Sequence, residues 1–173
     1  MYLKIVGSLF VLCSAAVFGF WKAEKLNRRV LCLQELKRMT VFLQGELRYH
    51  RSRLSEAFEN VSDRIRGPLG IFLQELAERI ESNGVMTMDE AWKEATSHLL
   101  QNADFSKEDE SLFEVLGNSL GYLDISMQIE HLNLTVLQIE DALNMAKEQW
   151  RVKGKLYRTM GVSLGALLVL LIV

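Results

Sequence analysis

Three histidines, His50, His98 and His131, are the first side chains to test for chemistry, because imidazole titrates near neutrality and binds transition metals. They lie far apart, and none sits in a His-Glu-x-x-His run or beside a cysteine, so spacing sets up no zinc site. The two cysteines, Cys13 and Cys32, lack the spacing of a metal site or a secreted disulfide framework and read as free thiols. No GxxxxGK[ST] loop is present, and no glycine-rich turn follows a strand pattern, so the chain has no phosphate cradle of its own. Glu46, Glu56, Glu59, Glu75 and Glu78 supply carboxylates, but their helical spacing puts them on polar faces, where solvation is the ordinary role. No nucleophile, base and orienting group can be matched. The expectation is therefore a protein that is no enzyme, with no catalytic residue, no cofactor and no metal.

Two segments carry chemistry of another kind. GNSLGYLD, from Gly117 to Asp124, combines glycines that allow close backbone approach with a ring bearing a polar tip. Gly117, Gly121, Tyr122 and Asp124 are candidates for a partner-docking corner. The plainer alternative is a turn between helices, pinned by Tyr122 and capped by Asp124. In KLYRTMGVSLG, from Lys155 to Gly165, Tyr157 and Arg158 are of the types that sit at a membrane interface, as are Trp21 and Lys22 at the other end. Gly161 and Gly165 also form a small-xxx-small pair, which permits close helix packing.

The elements that would position these segments follow from composition and patterning. The chain has 173 residues, 49% of them hydrophobic and 24% charged, with a formal net charge of -2. That is one modest core, with no basic field for nucleic acid and no acidic excess of the disordered kind. A single proline, Pro68, and abundant helix formers predict an all-α fold. From Ile5 to Trp21 the sequence is uncharged, and a basic stop of Lys22, Lys25, Arg28 and Arg29 follows; this reads as an uncleaved anchor rather than a signal peptide. MGVSLGALLVLLIV, from Met160, is the most hydrophobic stretch and is short for a span. The expected organisation is an N-terminal transmembrane anchor over 1–21, a six-helix bundle-like cytoplasmic domain over 22–155, and a C-terminal hydrophobic membrane segment over 156–173. Basic clusters on the inner side of both ends place the central domain in the cytoplasm under the positive-inside rule.

Within that domain, Leu33, Leu36, Thr40, Leu43 and Leu47 share a helical stripe, and Leu54, Phe58, Val61 and Ile65 form a shorter one. Gly67 and Pro68 mark a restart before Leu69, Phe72, Leu73, Leu76 and Ile80, and Asn83 with Gly84 marks a stop. Thr87 and Glu90 make a capping box ahead of Ala91, Trp92, Ala95 and Leu99. Ser106 starts the next helix, and Asp124 caps the last, whose stripe of Ile125, Ile129, Leu132, Val136, Ile139, Leu143, Ala146 and Trp150 could pack on its own domain or pair as a coiled coil.

The hydrophobic ends, LGNSLGYLD from Leu116, EAWKEA from Glu90, GELRYHRSRLSEAF from Gly45 and the terminal KLYRTMGVSLGALLVLLIV together resemble the stage III sporulation protein AB family. The resemblance covers the whole chain. One departure is Arg53, where members often carry proline before the leucine matched by Leu54. The resemblance implies a mother-cell component of the channel, or feeding-tube apparatus, that joins mother cell to forespore. It also implies a domain similar to the platform protein of type II secretion and type IV pilus systems. Its implied setting is the outer forespore membrane, with the helical domain facing the mother-cell cytoplasm. The partners it implies are the stage III sporulation protein AA ATPase and other sporulation IIIA membrane proteins, while the residues themselves point to membrane lipid, to a second copy of the chain through the last heptad, and to no nucleic acid. A self-assembling membrane scaffold and a ligand-binding regulatory module remain as alternatives.

Overall fold

A computed structural model describes residues 2–49, 53–82, 87–120 and 124–172. They form six α-helices: α1 Tyr2–Tyr49, α2 Leu54–Ser62, α3 Pro68–Ser82, α4 Met88–Asn102, α5 Lys107–Leu120 and α6 Ile125–Ile172. The all-α expectation and its helix starts are met. Thr87 receives the Glu90 N–H on its side chain while the Glu90 carboxylate accepts the Thr87 N–H at 2.9 Å, closing the capping box. Ser106 and Asp109 exchange the same pair of bonds ahead of α5. Gly67 adopts a φ of 76°, which only glycine takes without strain, and this turns the chain into the Pro68 start of α3. Arg53 has φ -62° and ψ 151°, the extended backbone a proline would hold, so the entry to α2 has a proline-like shape without the ring.

The expected membrane-spanning helices are a correction. Among the described residues no helix is long and apolar enough to cross a membrane. The apolar ends belong to 48-residue helices that are charged over much of their length. The uncharged stretches, from Lys4 to Lys22 and beyond Arg158, measure about 25 Å and about 22 Å at a helical rise of ~1.5 Å, against a hydrocarbon core of about 30 Å. Reading them as spans required snorkelling lysine and arginine to supply the missing length.

The chain divides into two compact units, one of residues 1–30 and 144–173, the other of residues 31–143. The second holds an aromatic core. Phe72 meets Trp92 edge-on at 5.0 Å between ring centroids and Phe113 at 6.1 Å, while Phe105 meets Phe113 at 5.0 Å. Each such pair adds about 0.5–1.5 kcal/mol to the burial of the rings. Leu33, Leu36, Leu43, Leu47, Leu132 and Ile139 are fully or almost fully buried in the same unit. Three of its buried polar side chains bond to nearby carbonyls: Thr40 to that of Leu36, Gln128 to that of Leu120 and Thr135 to that of His131.

In the first unit, α1 and α6 touch backbone to backbone. A Cβ on Gly19 would lie 2.6 Å from the Tyr157 carbonyl oxygen, and one on Gly161 would lie 2.9 Å from that of Ala15. Gly165 and Ala23 are buried beside this contact, and Arg29 donates to Gln149 at 3.1 Å.

Candidate interaction surfaces

The proposed corner separates into parts. Gly117 lies within α5, where a Cβ would sit 2.5 Å from the Trp92 indole. Trp92 fills that space and donates through Nε1 to the Phe113 carbonyl at 2.9 Å. Asp124 caps α6: one carboxylate oxygen accepts from the Ser126 hydroxyl at 2.8 Å and from the Ser126 N–H at 2.9 Å. These bonds, the hydroxyl first, hold its carboxyl below the usual range. Gly121 and Tyr122 lie outside the described residues.

The four residues expected at an interface all fall in the unit of residues 1–30 and 144–173. Trp21 is half exposed and tilts against Phe18 at 6.4 Å, and the Lys22 ammonium lies 6.0 Å from the Phe18 ring. The Arg158 guanidinium lies 5.9 Å from the Phe20 ring, while the backbone of Tyr157 faces Gly19. An open groove of about 690 Å³ runs past Phe10, Phe18, Lys22, Tyr157, Met160 and Leu164. Ten basic and two acidic side chains belong to this unit, a net charge of +8. The other unit has ten basic and twenty acidic side chains, net -10. The sequence reading located the basic clusters at both ends but missed Gly19, whose signal is the four-residue spacing of Ala15, Gly19 and Ala23.

A smaller groove, about 200 Å³, opens between α3 and α4 in the unit of residues 31–143 and is lined by Pro68, Ile71, Phe72, Glu75, His98 and Leu99, among others. Ile71 is 60% exposed at its edge. His98 Nδ1 lies 3.4 Å from Glu75 Oε2, a buried oxygen without a hydrogen bond. His131 is used through its carbonyl, and His50 lies outside the described residues. Among the described residues no group of three or more histidine, cysteine, aspartate or glutamate side chains could hold a metal ion.

The architecture defines a small all-helical protein whose outer helices are shared between a basic unit and an acidic one. A family model for stage III sporulation protein AB matches residues 4–173. The chain belongs to the stage III sporulation protein AB family, and so to the proteins of sporulation. Stage III sporulation protein AB of Bacillus subtilis (strain 168) is 21% identical over 170 residues, covering 98% of this chain and 99% of the relative. A solved structure of stage III sporulation protein AB (SpoIIIAB) aligns with a TM-score of 0.66 at 17% identity, over 71% of this chain and 96% of that one, which supports the fold.

Proposed function

We propose that this protein is a non-catalytic platform of the channel between mother cell and forespore, coupling a secretion-type ATPase to the channel's membrane components. Its place is the mother-cell side of the outer forespore membrane, with the acidic helical unit facing the mother-cell cytoplasm. The observation that carries the reading is the separation of charge: the +8 unit also exposes Phe10, Val17, Phe18, Phe20 and Trp21. Basic side chains beside exposed aromatic rings are the chemistry that holds a protein to an anionic lipid surface. The -10 unit is repelled by that surface and is left to meet proteins.

The test is flotation of the full chain with phosphatidylglycerol vesicles, with and without purified stage III sporulation protein AA ATPase. The expected result is that the chain floats with the vesicles and the ATPase floats only when the chain is present. An ATPase that stays unbound while the chain floats would remove the coupling role. A chain that fails to float would remove the membrane placement.

A further inference from the structure

The groove between α3 and α4 is embedded in a strongly acidic part of the chain. Residues 68–120 hold eleven acidic and three basic side chains, net -8. Glu75 lines the groove and Glu78 follows one turn later on α3. Of the nearby cations, Arg79 is held by Glu94 at 2.7 Å and Lys93 by Asp89 at 2.7 Å. The surface therefore fits an apolar side chain delivered by a basic helix.

Such a helix exists in the same chain. Along α6, Met145, Val152 and Leu156 are 64%, 54% and 51% exposed. Their spacing of seven and four residues keeps them on one face, with Lys155 beside them and Arg151 and Lys153 at the flanks. The opposite side of this stretch faces α1, with Tyr157 and Gly161 at the contact. Glu148 shares this face and pairs with Arg151 at 2.8 Å, so the stripe is apolar at its centre with Lys153 and Lys155 as its basic edge, the complement of the groove.

We propose that the α3–α4 groove of one copy receives the Met145–Leu156 stripe of a second copy, Val152 or Leu156 entering beside Ile71 while Lys153 and Lys155 approach Glu75 and Glu78. The two surfaces are different, so the contact is head-to-tail. After one contact the pair keeps an unused stripe on one copy and an unused groove on the other, and the assembly extends into a ring or an open array instead of stopping at a dimer. This assembly does not depend on the ATPase reading.

The experiment uses the full chain and two charge-reversed forms, Glu75→Lys with Glu78→Lys in the groove and Lys153→Glu with Lys155→Glu on the stripe. Light scattering over a concentration series reads the mass, and circular dichroism checks that each form is folded. The wild type is expected to form species larger than dimers that dissociate as salt is raised. Each reversed form should self-associate at least about tenfold more weakly, because like charges then face each other across the contact. Mixed together, the two reversed forms retain one intact groove and one intact stripe between them. At the other pair the reversed groove and the reversed stripe again carry opposite charges, so the mixture should assemble once more, the two forms alternating. A chain carrying all four substitutions restores opposite charges and should reassemble. Wild-type chain that stays monomeric at every concentration would overturn the proposal, as would reversed forms that assemble like the wild type. The stripe substitutions are on exposed lysines, so they keep the test decisive if the groove variant unfolds.

Discussion

Trp92 and Gly117 are a matched pair: the indole occupies the volume where any side chain at residue 117 would begin, 2.5 Å from its Cδ1. The same indole donates to the Phe113 carbonyl one turn earlier on α5 and lies edge-on to Phe72. The glycine is therefore required by the packing of α4 against α5, independently of anything that docks there.

Gly117→Ala should destabilise the protein by about 1–3 kcal/mol, the usual cost of overfilling a packed core. Urea denaturation followed by far-ultraviolet circular dichroism measures it. If stability is unchanged, the indole has room to retreat and the pairing is looser than the geometry states.

The crossing at Gly19 and Gly161 gives a second contrast. Gly161→Val should separate α1 from α6, because its Cβ would meet the Ala15 carbonyl. Faster hydrogen exchange across residues 13–23 and 154–165 is the expected sign. Gly45→Ala, where no atom lies within 4 Å of the added carbon, should instead stabilise α1 by about 0.5–1 kcal/mol through its better helix propensity. Equal exchange in wild type and Gly161→Val would count against the close crossing.

Asp124 predicts a pH dependence with a definite sign. Its carboxyl is depressed in the folded state by Ser126, so the cap contributes fully above the ordinary value of 3.8 and fades as pH falls through the lower folded value. Amide exchange in the first turn of α6, measured from neutrality into acid, should rise over that interval. Asp124→Ala should show the faster exchange already at neutral pH and lose the acid-dependent part.

Helix boundaries were legible because they rest on local chemistry: Thr87 with Glu90, Ser106, Gly67 with Pro68, and Asp124 act within a few residues of their own position. The buried faces were legible where leucines mark them, as at Leu33, Leu36, Leu43 and Leu47. On α6 the inferred stripe is partly displaced. Leu132, Ile139, Leu143 and Ala146 are buried as expected, but Ile125 and Trp150 are 40% and 37% exposed, while Gln128 and Thr135 are buried in their vicinity. Those polar residues fit the interior because each bonds to a nearby carbonyl, which hydrophobic periodicity cannot register. The spans failed for a related reason: apolar composition was visible, but length had to be borrowed from flanking charges. The α3–α4 groove was not legible at all, since Ile71 and His98 become neighbours only once two helices pack.

The pairing of residues 1–30 with residues 144–173 also sets a schedule for synthesis. The first helix of that pair leaves the ribosome while its partner is still untranslated, and at about 5–20 residues per second the wait is on the order of 10 s. Through that interval the glycine face of α1 has nothing to close against, and Phe10, Phe18 and Trp21 remain open to whatever apolar surface is nearest. The acidic unit, contiguous in sequence, can complete itself first. A nascent chain is thus expected to display its apolar, basic end as a single helix before the pair exists, which would bring it to a chaperone or a lipid surface during translation rather than after release.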